Sequence, residues 1–231
     1  LHLSLRRQRQ MCIRDSSYQV GKIMKAVMRT LALLMLASFT MSAYSASKTI
    51  LVLGDSLSAE YGLARGEGWV NLLQKKLEAE KITASIVNAS ISGETTSGGA
   101  ARLQTLLDKH QPAVVVIELG ANDALRGLSL IATQQNLRNM VAAAKKAKAR
   151  VLLIGMQIPP NYGTDYTRQF ADLFPKIAKE SKSALVPFML KDVADKANPN
   201  LFQADRIHPS AEAHPIILNN IWPQLKPLLS K

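Results

Sequence analysis

Four short segments carry side chains able to do chemistry together: Gly54-Asp55-Ser56-Leu57-Ser58, Asn88-Ala89-Ser90-Ile91-Ser92-Gly93-Glu94-Thr95, Gly120-Ala121-Asn122-Asp123 and Asp205-Arg206-Ile207-His208-Pro209. A serine hydroxyl is a poor nucleophile until a base takes its proton, and imidazole is the usual partner. His208 is the best candidate for that base. Asp205, three residues earlier, can curl back within the same turn and hold the ring nitrogen that faces away from the serine, which sets the tautomer and supports the imidazolium. Acyl transfer also needs donors aimed at a developing oxyanion. The Ser56 N–H, the unobstructed N–H of Gly93 and the side-chain amide of Asn122 could supply three, each worth roughly 3 kcal/mol in a transition state.

These groups need a scaffold that brings them to one edge. Thr49 to Gly54, Ala84 to Ala89, Ala113 to Leu119, Arg150 to Met156 and Ala184 to Pro187 read as strands, most too apolar to leave a face in water. Between them lie helical patterns near 67–80, 98–110, 130–149 and 165–182, and a last helix is expected from near Pro209. Such alternation implies an α/β fold, a three-layer α/β/α sandwich with a parallel sheet covered on both faces. Ligands of such sheets bind beyond the carboxyl ends of the strands, where the unusual residues stand.

With these blocks the chain resembles the GDSL or SGNH hydrolases, named for Ser, Gly, Asn and His, here Ser56, Gly93, Asn122 and His208. The longer stretches Leu53–Ala59, Val87–Thr95 and Glu118–Asp123 are similar to the bacterial subfamily of multifunctional thioesterases, proteases and lysophospholipases. The resemblance implies a flavodoxin-like five-stranded sheet of order 2-1-3-4-5, a triad of Ser56, Asp205 and His208, an oxyanion hole of Ser56, Gly93 and Asn122, and no cofactor or metal. It implies a serine esterase acting on acyl esters, lysophospholipids or acyl thioesters. Ala121 departs from the pattern, since the subfamily often has a second glycine there, and the turn that aims Asn122 could differ.

A Gly-Asp-Ser tripeptide alone is a common turn, and the weight falls on four blocks in order. The Gly-x-Ser-x-Gly elbow of α/β-hydrolases is a different motif, with the serine in mid-chain and the acid far from the histidine. His110, before Gln111-Pro112, is expected to serve a helix end. His214 lies six residues beyond His208, a spacing that does not align two metal ligands on one helix face, and is expected at the surface or behind the site. Asp55 and Asp123 read as positioning residues that bind nearby backbone N–H groups. Glu118, in an apolar strand, must be paired or protonated, and its partner is not legible in the sequence. The segment 156–163 should line the cleft, with Ile158, Pro159 and Tyr162 as candidate substrate-binding residues.

Met24 to Arg29 form a basic start, Leu31 to Phe39 an uncharged apolar run, and Ala43-Tyr44-Ser45 a small-x-small site, the three parts of a secretory signal. The run is short of the roughly 20 residues that span a bilayer. Residues 1–23 read as a non-native upstream extension, 24–45 as the signal and 46–231 as one hydrolase domain, exported to the periplasm or beyond. The formal charge of +12 divides evenly, leaving a modest excess of 22 basic over 16 acidic residues in 46–231. The run Lys145, Lys146, Lys148 and Arg150 reads as a solvated helix face, not a nucleic-acid patch. Cys12 is the one cysteine, so residues 46–231 can hold neither a disulfide nor a thiol nucleophile. No integral membrane segment is expected after signal cleavage, and the expected state is a monomer. A carbohydrate or peptidoglycan O-acetylesterase with the same triad, and a non-catalytic envelope-binding module that keeps the fold, stand as rival readings.

Overall fold

The structure, a computed structural model, describes residues 48–194 and 199–230 together with Met24 and Met28. Contacts divide the chain into two units, Leu1–Ala46 and Ser47–Lys231. The signal and the upstream extension fall almost wholly outside the described residues, and of the first unit only Met24 and Met28 are described, both helical and exposed. No described helix is long and apolar enough to cross a membrane.

The second unit is built on five strands, β1 (Lys48–Gly54), β2 (Ala84–Asn88), β3 (Val114–Glu118), β4 (Arg150–Ile154) and β5 (Ala184–Val186). All neighbours pair in parallel, in the order β2-β1-β3-β4-β5. The order the resemblance implies is the order observed. Ile50 to Leu53 in β1 and Val114 to Ile117 in β3 have no solvent exposure. Central parallel strands are covered on both faces, so a continuous β-branched and leucine run suits them where alternation would not. Each such side chain contributes roughly 1.5–3 kcal/mol through burial.

Six helices cover the sheet: α1 (Trp69–Ala79), α2 (Thr96–His110), α3 (Ala121–Leu125), α4 (Leu130–Lys146), α5 (Thr164–Ser181) and α6 (His214–Leu229). One layer packs α1 against α6, and the other packs α4 between α2 and α5. Phe170 and Phe174, one turn apart on α5, meet edge to face at 5.3 Å and bracket the space above Gly120, whose φ of 120° no residue with a Cβ would adopt without strain.

Two expectations need correction. The last helix begins at His214, not near Pro209, because Pro209 pairs with Phe202 in an isolated antiparallel bridge and residues 211–213 form a 3₁₀ turn before α6 starts. Of the two places left open for His214, the surface is ruled out: it is 2% exposed, and its Nδ1 accepts the Trp69 N–H at 3.0 Å. The residue before Trp69 is Gly68, which has no side chain to cap α1, so a histidine 145 residues away supplies the acceptor. Burial pushes the His214 pKa down to about 4, against the pull of Glu60 and Glu67.

Candidate active site

Because the sheet is parallel, every strand hands the chain over at the same edge, and four of those connections build the site. After β1 the chain turns sharply through Asp55 and Ser56: the N–H groups of Ser58 and Ala59 both donate to the Asp55 carbonyl, at 3.2 and 3.0 Å. The Asp55 carboxylate caps the same turn, with Oδ1 accepting the Leu57 N–H at 3.0 Å. Ser56 is thereby left at the lip of the turn, partly buried.

Glu118 anchors that turn from the neighbouring strand. Its Oε2 accepts the Ser58 hydroxyl at 2.7 Å and the Asp55 N–H at 3.2 Å, and Ser58 Oγ in turn accepts the Trp69 indole N–H at 3.2 Å. The partner that the sequence left unnamed is therefore the serine turn itself. Burial, and then the charge of Asp55, hold the Glu118 carboxyl well above its ordinary range. Asp55, 1% exposed, is raised to about 6 by burial, although the Leu57 N–H, Glu118 and the Asn122 amide all favour its anion.

His208 arrives on the connection that follows β5. The loop is closed like a hairpin: the Phe202–Pro209 bridge is flanked by the Gln203 N–H donating to the His208 carbonyl at 2.8 Å. Inside it Asp205 makes an Asx turn, with Oδ1 accepting the N–H groups of Ile207 (2.9 Å) and His208 (3.0 Å). That leaves Oδ2 facing the ring, 2.6 Å from His208 Nδ1. Burial alone would raise the Asp205 carboxyl, but the hydrogen bonds from His208 and Ile207 outweigh it and lower the pKa to about 2.

The ring's far nitrogen, His208 Nε2, lies 2.9 Å from Ser56 Oγ. An ionised Asp205 can only accept, so Nδ1 carries the hydrogen and the bare Nε2 accepts the Ser56 hydroxyl. Tyr61 lies over the same ring at a centroid distance of 4.4 Å and an interplanar angle of 39°. Gln203 ties the two loops together, its Nε2 donating to the carbonyls of Tyr61 and Pro209 at 2.8 and 3.0 Å. Nothing in the sequence pattern singled out Tyr61, whose neighbour Glu60 has a φ of 59°.

Of the three candidate oxyanion donors, Ser56 and Asn122 line one cavity with His208, and Gly93 lies on the connection after β2. Neither the Ser56 N–H nor the Gly93 N–H meets an acceptor among the described residues. Gly93 has a φ of 77°, and its carbonyl is held by the Arg126 guanidinium at 2.8 Å. Asn122, on α3, gives one amide hydrogen to Asp55 Oδ2 at 3.0 Å and keeps the other for the site. Ala121 leaves this arrangement undisturbed: the positive φ falls on Gly120, and Ala121 is an ordinary buried first residue of α3. Asp123 faces away from Ser56 and binds the start of α2 and a residue of α4, through the Thr96 N–H (2.8 Å), the Thr96 hydroxyl (2.5 Å) and the Thr133 hydroxyl (3.3 Å). His110, the last residue of α2, is remote from the loops that form the site. Among the described residues no cluster of three or more His, Cys, Asp or Glu side chains could hold a metal ion.

A cavity of about 650 Å³ opens beside Ser56, Asn122 and His208. Its walls are mainly apolar: Met156, Ile158 and Pro159 after β4, Phe188 and Leu190 after β5, and Phe202. Ile158 and Pro159 thus line the cavity, whereas Tyr162 is not part of its wall and is 41% exposed. Phe188, Leu190 and Phe202 went unnoticed in the sequence because they lie in irregular chain with no periodicity to betray an inward face.

The model of the GDSL-like Lipase/Acylhydrolase family matches residues 52–216, which span all four blocks. The chain belongs to the GDSL-like lipase/acylhydrolase family. It is 49% identical over 194 residues to esterase TesA of Pseudomonas aeruginosa, covering 84% of this chain and 96% of that one. It is 43% identical over 186 residues to thioesterase 1/protease 1/lysophospholipase L1 of Escherichia coli K12, covering 80% and 87%. The crystal structure of the psychrotrophic esterase EstA from Pseudoalteromonas sp., inhibited by monoethylphosphonate, superposes with a TM-score of 0.74 at 43% identity, covering 80% of this chain and all of that one. As a member of the GDSL-like family the chain is a hydrolase of ester bonds, and its five-stranded sheet is the fold of these relatives.

Proposed function

We propose that Ser56 is the nucleophile of an exported serine esterase and thioesterase whose substrates are lysophospholipids and medium- to long-chain acyl esters. The observation that carries the reading is the hydrogen-bonded row Ser56 Oγ, His208 Nε2, His208 Nδ1, Asp205 Oδ2, at 2.9 and 2.6 Å. In it the Ser56 proton passes to Nε2 as Oγ attacks the acyl carbon. The carbonyl oxygen becomes an oxyanion held by the Ser56 and Gly93 N–H groups and the free Asn122 amide hydrogen. The imidazolium then gives its proton to the departing alcohol or thiol, which leaves an acyl ester on Ser56. Water, deprotonated by the same nitrogen, repeats the sequence and releases the acid.

The names of the two curated relatives support esters and thioesters as the bonds cleaved. The apolar cavity favours chains of several carbons over acetyl groups, since burying each methylene is worth about 0.8 kcal/mol. The hydrogen-bonded row speaks against a merely binding role. Export follows from the three-part amino-terminal pattern of residues 24–45.

The decisive experiment is Ser56→Ala. The variant should lose nearly all hydrolysis of p-nitrophenyl acyl esters and keep an unchanged circular dichroism spectrum. Undiminished turnover would remove Ser56 from the mechanism.

A further inference from the structure

Soluble domains scatter exposed apolar side chains singly over their surfaces, and concentration of them in one region marks a contact. Among the described residues from Lys48 onward the exposed large apolar side chains are Tyr61, Ile91, Leu128, Ile131, Tyr162 and Ile207. All six stand at the carboxyl edge of the sheet: Tyr61 after β1, Ile91 after β2, Leu128 and Ile131 after β3, Tyr162 after β4 and Ile207 after β5. Among the described residues from Lys48 onward none stands at the opposite edge, and Ile131, at the start of α4, is the one on an α-helix. The most exposed, Ile131 at 83%, is in the first turn of α4 and serves no packing.

The six crown the edge of the sheet at which the cavity opens. Tyr61 covers His208, Ile207 lines the cavity, and Tyr162 ends the loop whose Ile158 and Pro159 form its wall. Ile91 and Leu128 flank the Arg126 to Gly93 hydrogen bond that joins the second and third connections. Ile207 is the point at which the exposed apolar residues meet the cavity wall. Three arginines, Arg65, Arg126 and Arg206, rise from the same connections, and none is in an ion pair among the described residues. Of the acidic groups on these connections, Asp165 pairs with Arg168 and Asp205 with His208, while Glu60 and Glu67 accept backbone N–H groups of their own loop.

We propose that this rim is a lipid-docking surface: the enzyme seats its catalytic edge on phosphate-bearing lipid aggregates, so that an acyl chain passes from the aggregate into the cavity without crossing water. The inference rests on the esterase reading and names the physical form of its substrate. The crown supplies side chains that insert at the interface, tyrosine among them with its apolar ring and polar tip. The arginines meet the phosphates that border it. The alternative occupant of such a rim, a second copy of the chain, has no need of cations around the apolar ring.

The test uses residues outside the cavity and the hydrogen-bonded row. The protein from residue 46 onward and its Leu128→Ser/Ile131→Ser double variant are floated with vesicles of equal parts ether-linked phosphatidylcholine and phosphatidylglycerol, which the enzyme cannot hydrolyse. Both are also assayed on p-nitrophenyl butyrate in solution. The expected result is vesicle binding by the parent, about tenfold weaker binding by the variant, and equal turnover of the dissolved ester. Parent protein that stays with the buffer, or a variant that binds as well as the parent, overturns the docking surface while leaving the esterase reading intact. A concentration-dependent dimer in sedimentation velocity, lost in the double variant, also overturns it by assigning the rim to a second copy. If the dissolved ester is not turned over at all, it is the esterase reading that fails, and the inference falls with it.

Discussion

Tyr61 lies over the imidazole of His208 with ring centroids 4.4 Å apart and planes tilted by 39°. The two come from opposite ends of the domain and are strapped together through Gln203. A ring face so placed restrains the imidazole and favours its cation as it forms. Tyr61→Ala should lower kcat several-fold on soluble esters, about 1 kcal/mol of barrier, with KM and thermal midpoint nearly unchanged. Tyr61→Phe should restore the rate. Equal loss in both variants would place the effect in the hydroxyl and not in the ring.

Asp205 holds His208 by ring and backbone at once. Its removal leaves the serine with a base that is neither oriented nor in the right tautomer. For Asp205→Ala, kcat should fall by about 10⁴-fold, with far less change in KM. A loss confined to KM would mean that Asp205 contacts substrate.

Asp55 fixes the Asn122 amide through Oδ2 and the serine turn through Oδ1. With Asp55→Ala the amide is free to rotate, and the donor is no longer pre-aimed. The expected cost is about a hundredfold in kcat, the magnitude of one oxyanion donor. Asn122→Ala in the same background should then cost little more, and full additivity of the two losses would refute the coupling.

His214 gives the fold an acid-labile point. Held neutral at a pKa of about 4 against an ordinary 6.5, it refuses a proton that the unfolded chain accepts. Its contribution is therefore complete above pH 6.5 and is lost as pH falls toward 4, by roughly 3 kcal/mol. His214→Asn keeps an acceptor for the Trp69 N–H and removes the titration. Denaturant midpoints measured between about pH 7 and about pH 4 should fall less steeply for this variant than for the parent; parallel slopes would assign the acid sensitivity elsewhere.

Much of this architecture is visible in the chain itself, for identifiable reasons. The strands β1 and β3 are apolar throughout because both faces are covered, so their type and place could be read directly. Ser56, Asp205 and His208 declare themselves by residue type and short-range spacing, and the structure brings their side chains into one hydrogen-bonded row. What could not be read depends on long-range packing. The five residues of α3 are too few for periodicity to mark a helix. The true start of α6 depends on a bridge to Phe202. The burial of His214 depends on a helix start 145 residues away, and the acid that steadies the serine turn, Glu118, lies on another strand. Tyr61 and the cavity wall beyond Pro160 belong to the same class.

The two members of the Ser56–His208 pair are separated by 152 residues, and strands β2 to β5 lie between them. A ribosome therefore releases the serine early and the imidazole almost last, after β5 has emerged. Until residue 208 has been made, Ser56 has no His208 imidazole to accept its proton. The pair assembles only when the carboxyl-terminal loop meets the turn after β1, so completion of the chain precedes completion of the site.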